Sequence, residues 1–177
     1  GSGSEVNYWA VVTDREAKEK LSVGDPAMAP LLAAVDPLLS VSLPAGATLF
    51  TGIDALTHAV ESYLSSDSNW LSDNLSLGAV SLIVRSIEQA VADGGNLRAR
   101  SGMALASTLA GLSMENVGLG LVHALSHQVS GHYDPSHGLA NALLLPPVLA
   151  FNGRACGGKG KSLDALVRGG GGFPGWL

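Results

Sequence analysis

Apolar residues recur with helical spacing through the middle of the chain, from residue 48 to residue 152. Between Thr48 and Leu64 most of them are three or four positions apart, which is the period of a helix that buries one face. The same spacing predicts four helices after the first, over Leu71–Val91, Arg98–Met114, Leu119–Val129 and Gly138–Ala150. Asp93-Gly94-Gly95 follows Leu71–Val91 and is a stop signal for that helix.

Residues 1–47 have a different pattern, with short β-like runs between turn-forming residues. Tyr8–Thr13 is rich in aromatic and β-branched residues and predicts a strand, and Asp14-Arg15-Glu16 predicts the turn that follows. Leu31–Val35 predicts a second strand, before a break at Asp36-Pro37. The predicted fold class is therefore mainly α, a helical bundle preceded by a short β-containing segment.

Residues 153–177 form a third region with a distinct composition. Nine of these 25 residues are glycine, and four basic residues stand against the single acidic residue Asp164. Such a segment loses much conformational entropy on ordering and buries little apolar surface. We expect an irregular tail, apart from a turn at Ser162–Val167.

The whole chain is apolar for its size. Of its 177 residues 46% are hydrophobic and only 14% are charged, and the mean hydropathy is +0.28. This composition predicts a well-packed helical core or a surface that meets another domain or subunit, so we expect a homo-oligomer. Apolar stretches such as Leu139–Ala150 are too short to span a bilayer, and no membrane partner is expected.

Charge and cysteine content narrow the function classes further. The formal net charge is −5, which argues against nucleic acid as a partner because such proteins carry basic surfaces. The single Cys156 forms no internal disulfide, so a cytoplasmic location is expected. The first five residues lack the basic and apolar segments of a signal peptide.

Asp54 and His58 are the first candidate metal ligands. They are four residues apart in a predicted helix, so they lie on one face, one turn apart. Their neighbours are apolar, and a buried aspartate needs a partner such as a cation. An isolated pair of this kind is a weak signal, but a histidine cluster further along the chain strengthens it.

Four histidines lie within 15 residues of one another in that cluster. His123 and His127 have the same four-residue spacing, while Ser136 resembles an N-cap that places His137 at the start of the next helix. Either His127 or His137 can therefore be the fourth ligand on spacing alone. His132 is expected in a loop. Glu61 is interpreted as a surface carboxylate or one that supports a ligand.

Three imidazoles and one carboxylate suit Fe²⁺ or Zn²⁺ better than Mg²⁺ or Ca²⁺, which prefer oxygen ligands. Such a metal can accept a further oxygen and act as a Lewis acid on an alcohol or a water. Serine-nucleophile motifs are missing from the sequence, and Cys156 in the glycine-rich tail is a poor nucleophile. Gly1-Ser2-Gly3-Ser4-Glu5 is consistent with a phosphate-binding turn or with a remnant of cloning.

Several strings of the sequence resemble the iron-dependent (group III) alcohol dehydrogenases. The resemblance extends over about residues 1–152, and the two histidine-bearing motifs are the most specific part of it. The matching strings are Gly1–Val6, Asp36-Pro37, Thr51–Glu61, Asn116–His127 and Pro135–Asn141.

The resemblance implies a role for each candidate residue. It implies that Asp54, His58, His123 and His137 bind the metal and that His127 lies beside the substrate, where it positions the substrate or relays a proton. It implies that Gly1, Ser2, Gly3, Ser4 and Glu5 lie near the nicotinamide and phosphates of NAD(P). Residues 48–152 would be the helical metal-binding domain, and residues 1–47 would be the edge of a cofactor domain.

Two departures from the family leave three functions open. The chain has about half the family's length, so we expect it to lack the nucleotide-binding domain, and we expect the tail after Asn152 to be unlike the family. The first hypothesis is oxidation of small alcohols or reduction of aldehydes with NAD(P). The second is a metal-dependent hydrolase that uses metal-bound water on esters, with His127 as general base. The third is a catalytically silent fragment that binds metal or associates with itself.

Overall fold

The computed structural model describes residues 2–153 and 155–169, and over these residues the chain is mainly helical. The predicted fold class, a helical bundle preceded by a short β-containing segment, is confirmed. Two strands come first, β1 (Trp9–Asp14) and β2 (Glu19–Gly24). They are followed in the described residues by six helices: α1 (Ala45–Leu64), α2 (Trp70–Ala92), α3 (Leu97–Val117), α4 (Leu121–Tyr133), α5 (His137–Asn152) and α6 (Gly157–Gly169).

Helices α1, α2 and α3 pack against one another and form the body of the domain. Helix α5 packs against α1, and α4 packs against α5, so the last two lie on one side of α1. Small and branched aliphatic side chains fill the core, which allows the helices to approach closely. The core residues with 2% exposure or less include Ile53, Ala55, Ala59, Val80, Ile83, Ile87, Ala106 and Ala110.

The predicted helices lie within a few residues of α1–α5, because local signals mark their ends. Asn69 caps α2, where its side chain accepts hydrogen bonds from the first turn and the Ser72 hydroxyl completes a capping box. Asn96 caps α3 in a similar way. Asp93 ends α2 as predicted, and Gly118, with a φ of 74°, ends α3.

The N-terminal segment forms a hairpin that was only half predicted. Strand β1 confirms the predicted strand over Tyr8–Thr13, and it pairs antiparallel with β2 from Trp9 opposite Gly24 to Asp14 opposite Glu19. The predicted strand at Leu31–Val35 is wrong, because this exposed stretch has no hydrogen-bonded neighbour among the described residues. A strand requires a pairing partner, which the apolar pattern of one segment does not supply.

The prediction of an irregular tail is wrong for Gly157–Gly169, because these residues form α6. Its Leu163 is buried against the helical core. The Lys159 ammonium donates to the Tyr63 carbonyl at 2.9 Å, to Ser68 at 2.6 Å and to Asp73 at 2.7 Å. These tertiary contacts offset the conformational entropy that the glycine-rich segment loses when it forms a helix. The composition alone does not reveal such contacts. Arg154 and residues 170–177 lie outside the described residues.

Helix α2 corrects the expectation that no apolar stretch is long enough for a membrane span. Within residues 2–153 and 155–169 it is the one helix that has both the length and the composition, while α3 and α4 pass only as one span bent by 102°. Helix α2 nevertheless packs against α1 and α3, and core helices of soluble proteins are often equally long and apolar. Its length and composition are therefore weak evidence of a membrane span.

Candidate metal centre

Helix α1 places two of the candidate ligands in the protein interior. Asp54 and His58 are each 6% exposed and lie one turn apart, as their spacing predicts. The Nε2 atom of His58 is 3.6 Å from Oδ1 of Asp54. Every residue from Gly52 to Tyr63 is buried, so the α1 backbone around the pair is enclosed by neighbouring helices.

Helices α4 and α5 bring the other two histidines to the same carboxylate. His123 lies in the first turn of α4, and His137 is the first residue of α5. Gly138 allows the start of α5 to lie directly against α1, because a Cβ atom there would overlap the Phe50 backbone. Ser136 occupies the N-cap position as predicted, but its side chain makes no cap hydrogen bond.

Oδ1 of Asp54 is the centre of this arrangement. It lies 3.6, 3.5 and 3.4 Å from the Nε2 atoms of His58, His123 and His137. Ligands about 2.1 Å from a tetrahedral ion are separated by about 3.4 Å. Ligand atoms of Asp54, His58 and His123 also lie within 4.8 Å of one another. The separations and the three-nitrogen, one-oxygen donor set therefore fit a divalent transition metal.

The site opens to solvent on the His137 side. The His137 side chain is 30% exposed, against 8% or less for the other three. Burial lowers the pKa of His137 to about 4, in spite of the attraction of Asp54. Burial also lowers the pKa of His58. Both imidazoles are therefore neutral at pH 7, which is the form that binds metals.

His123 and Asp54 have pKa values that are moved in opposite directions. Burial opposes the charged form of His123, but its contacts with Asp54 and Glu61 raise the pKa above the ordinary value. Burial likewise opposes the Asp54 carboxylate, but the contact with His123 and the charges of the surrounding histidines hold its pKa well below the usual range. The Asp54 carboxyl is thus an anion in the buried site.

Glu61 makes two short contacts next to the candidate ligands. Its Oε2 atom is 2.6 Å from Nδ1 of His123, and its Oε1 atom accepts a hydrogen bond of 2.6 Å from the Val122 amide. The side chain is 6% exposed. Burial alone would raise the pKa of Glu61, but the contacts with His123 lower it. The interpretation of Glu61 as a carboxylate that supports a ligand agrees with these contacts.

Asn141 is a site residue that sequence reasoning missed. It is fully buried, and its Nδ2 atom donates to Oδ1 of Asp54 at 2.6 Å. The same atom lies 3.2 Å from Nε2 of His123 and 3.3 Å from Nε2 of His137. The only sequence signal is its position four residues after His137, which places both side chains on one face of α5.

His127 and His132 lie outside the group of atoms around Asp54. The His127 ring is half-buried, and its centre is 6.2 Å from that of His123 and 5.4 Å from that of His137. Burial and the positive charges of His123 and Lys20 lower the pKa of His127. His132 was expected in a loop, but it is an exposed residue in the last turn of α4.

The N-terminal turn lies close to the same site. The Ser2 backbone lies beside His58, although Nδ1 of His58 makes no hydrogen bond within the described part of the chain. Gly3 packs on α3, where a Cβ atom would come within 2.6 Å of the Ser107 carbonyl. Glu5 accepts a hydrogen bond of 2.8 Å from Thr108. Gly3 and Glu5 thus contact α3, Ser4 begins a 3-10 turn, and Gly1 lies outside the described residues.

Comparison with known proteins identifies relatives of this chain. The sequence profile described as "Fe-containing alcohol dehydrogenase family, C-terminal" matches residues 48–172. The chain is 48% identical over 152 residues to 1,3-propanediol dehydrogenase of Klebsiella pneumoniae, covering 86% of this chain and 39% of that protein. It is 45% identical, over 86% of its length and 40% of the relative's, to NAD-dependent methanol dehydrogenase of Bacillus methanolicus.

A solved structure extends the comparison beyond the helical core. The alcohol dehydrogenase from Oenococcus oeni superposes with a TM-score of 0.86 and 36% identity, over 97% of this chain and 50% of that one. The expectation that the tail after Asn152 is unlike the family is wrong, since the profile match continues to residue 172. All three relatives are named as dehydrogenases, so the comparison lends no support to the hydrolase hypothesis. The chain spans about 40% of the length of the curated relatives it matches.

Proposed function

The chain belongs to the iron-containing alcohol dehydrogenase family, and we propose that it forms the metal-binding part of an enzyme that interconverts small alcohols and aldehydes with NAD(P). We propose residues 48–152 as the metal-binding domain and residues 1–47 as the edge of the cofactor-binding region. The relatives named for 1,3-propanediol and methanol indicate short-chain alcohols as the substrate class.

The proposed metal ligands are Asp54, His58, His123 and His137, and the metal is Fe²⁺ or Zn²⁺. One observation carries this proposal: three histidine Nε2 atoms lie 3.4 to 3.6 Å from one carboxylate oxygen. Three imidazoles and one carboxylate leave room for an exogenous oxygen ligand. A bound divalent metal supplies Lewis acidity, which stabilises the alkoxide form of an alcohol.

The side chains around the proposed ligands determine how a substrate approaches. Access is favoured on the His137 side, because the other three ligand side chains are nearly inaccessible. His127 lies next to His137, and its lowered pKa keeps it neutral at pH 7. A neutral imidazole both donates and accepts protons. We therefore assign His127 to substrate positioning or to relay of the hydroxyl proton.

The N-terminal turn carries the proposed cofactor contacts. Gly1 to Glu5 are proposed near the nicotinamide end of NAD(P), and the position of Ser2 beside His58 supports this. Gly3 and Glu5, however, are already engaged by α3. The described residues of this turn therefore do not form a phosphate cradle by themselves.

Metal binding and turnover test the proposal separately. We expect metal-free protein to bind one equivalent of Zn²⁺, or of Fe²⁺ without oxygen, in a calorimetric titration. His123→Ala should abolish this binding, whereas His132→Ala, which changes an exposed histidine of the same helix, should preserve it. If both variants bind the metal as the unmodified chain does, the ligand assignment is wrong.

The second measurement is NADH or NADPH formation with 1,3-propanediol, methanol and ethanol as substrates. Metal-dependent turnover that His123→Ala removes would support the dehydrogenase assignment for this chain. Stoichiometric metal binding without turnover would instead support the silent-fragment hypothesis and restrict the proposal to the metal-binding role.

A further inference from the structure

Glu61 holds His123 in one defined orientation. Its Oε2 atom is 2.6 Å from Nδ1 of His123, and both side chains are almost completely buried. An ionised carboxylate only accepts hydrogen bonds, so Nδ1 carries the proton and donates it. Nε2, the atom that lies 3.5 Å from Oδ1 of Asp54, is therefore the nitrogen left to bind a metal once any second ring proton has left.

The same carboxylate caps the N-terminus of α4. Its Oε1 atom accepts the Val122 amide hydrogen at 2.6 Å. The Gly120 N-cap position itself offers no side-chain cap, so Glu61 of α1 supplies what α4 lacks. Amides in the first turn of a helix have no partner within that helix and favour an anion. The backbone that carries His123 and the His123 ring are thus tied to one side chain.

Gly120 leaves the space that this contact requires. A Cβ atom at Gly120 would lie 2.8 Å from Oε1 of Glu61 and 3.2 Å from the carboxyl carbon. Any larger residue at position 120 would push the carboxylate away from the first turn of α4. A substitution at Gly120 therefore changes the position of the Glu61 charge without removing the charge.

The charges of the buried cluster are also informative. Asp54 and Glu61 are two carboxylates within one largely enclosed group of imidazoles. Together they balance the two positive charges of a divalent cation, which matters because an unbalanced buried charge is costly. Neutral histidine ligands contribute nothing to this balance.

We propose that Glu61 is a positioning and charge-balancing residue of the metal centre, which orients His123 and favours a divalent cation. This inference rests on the proposed metal site. Carboxylates that orient ligating histidines in this way typically contribute tenfold to a hundredfold to metal affinity.

The test compares Glu61→Gln with Glu88→Gln, which removes the same charge from an exposed position of α2. We expect Glu61→Gln to weaken Zn²⁺ binding by about tenfold to a hundredfold, while Glu88→Gln binds as the unmodified chain does. Gly120→Ala should weaken binding less, since it displaces the carboxylate but keeps its charge. Glu61→Asp should recover part of the affinity that Glu61→Gln loses.

A second readout separates charge from packing. In the iron-loaded protein, Glu61→Gln should raise the Fe³⁺/Fe²⁺ reduction potential, because loss of a nearby negative charge destabilises Fe³⁺ more than Fe²⁺. Glu88→Gln should leave the potential unchanged. Circular dichroism of each metal-free variant identifies any that has not folded.

The outcomes also distinguish this inference from the proposed function. If the unmodified chain binds no metal, the proposed metal site itself is wrong. If it binds metal and a folded Glu61→Gln binds equally well with the same reduction potential, the metal site stands and the role of Glu61 is overturned.

Discussion

The helical body, residues 45–152, and the N-terminal segment, residues 2–44, use the same apolar residue types in opposite ways. In the body, Ile83 and Val80 are fully buried between helices. In the N-terminal segment, Leu31 is fully exposed, and Leu32 and Leu39 are more than 80% exposed. Large apolar residues therefore build the core in the helical body, whereas those of the N-terminal segment contribute mainly to its surface.

The difference shows where the chain supplies its own packing partners. The helices of the body pack on one another, so they enclose a continuous apolar core and the polar cluster around Asp54. Leu143 and Phe151 of α5 nevertheless remain 69% and 74% exposed. The hairpin contacts the body through its turn, where the Lys18 carbonyl lies against Gly131 of α4. Apolar residues of both its strands remain exposed, and such surfaces favour association. Homo-oligomerisation thus stays a prediction.

Paired alanine substitutions provide the strongest test of this contrast. Ile83→Ala removes a fully buried side chain from α2 and should lower the free energy of unfolding by about 2 to 5 kcal/mol. Leu31→Ala should change it by less than about 0.5 kcal/mol, because the side chain is already in solvent. Urea denaturation followed by circular dichroism measures both. Comparable losses would show that the N-terminal segment is covered in solution.

Asp54→Asn tests whether the polar cluster inside the body is a metal site. The binding free energy of structural zinc is about 10 to 16 kcal/mol. Divided among four ligands, this is roughly 3 kcal/mol for each ligand, which corresponds to about a hundredfold in affinity. We therefore expect metal binding to weaken by about that factor or more, since the only anionic ligand is lost. Competition with a chromophoric chelator measures the affinity. Asp67→Asn, in an exposed loop after α1, is the matched control and should bind normally.

The helices and the placement of one pair of proposed ligands were predictable because helical geometry is local. A spacing of four residues places Asp54 and His58 on one face whatever the rest of the fold does. The choice between His127 and His137 was not predictable from spacing alone. It depends on the turn between α4 and α5 and on the close approach of Gly138 to α1, which are tertiary features.

The misses have similar physical reasons. Asn141 carries no charge, and its spacing from His137 is a weak signal, so only the packed structure shows its contact with Asp54. Leu31–Val35 has the residue types of a strand but has no strand beside it in the part of the chain that the structure describes. Helix α6 is rich in glycine, yet contacts of Lys159 and Leu163 with distant residues order it. In each case a partner far away in sequence decides the outcome.

The pH dependence of metal affinity sharpens the description of the buried cluster. A proton competes with the metal for each imidazole, so affinity falls as the pH falls. The pKa of His137 is lowered to about 4, so its imidazole is neutral at pH 6 to 8, and burial lowers the pKa of His58 as well. Contacts with Asp54 and Glu61 raise the pKa of His123, so His123 is the ligand whose second ring proton competes most with a metal.

We therefore expect metal affinity to fall as the pH falls through the raised pKa of His123, with release of at most about one proton per metal bound. Calorimetry in buffers of different ionisation enthalpy counts the released protons. Release of about three protons would show that His58 and His137 are also protonated in the metal-free chain, contrary to their burial.

Helix α6 is intermediate between the two regions, and its attachment gives the smallest expected effect. Lys159 donates three hydrogen bonds to the body of the protein, while Lys161 on the same helix is exposed. The side chains of Lys159 and Asp73 are 33% and 26% exposed, so solvent screens their ion pair. Lys159→Met should therefore lower the free energy of unfolding by only about 1 kcal/mol.

The larger effect of Lys159→Met should be local. The methionine retains apolar bulk but donates no hydrogen bond, so we expect faster proteolysis between α5 and α6. Lys161→Met should change neither the cleavage rate nor the stability. Equal cleavage of both variants would show that Leu163 alone holds the helix. In that case α6 would belong with the body, whose apolar contacts determine its order, and the polar contacts of Lys159 would be incidental.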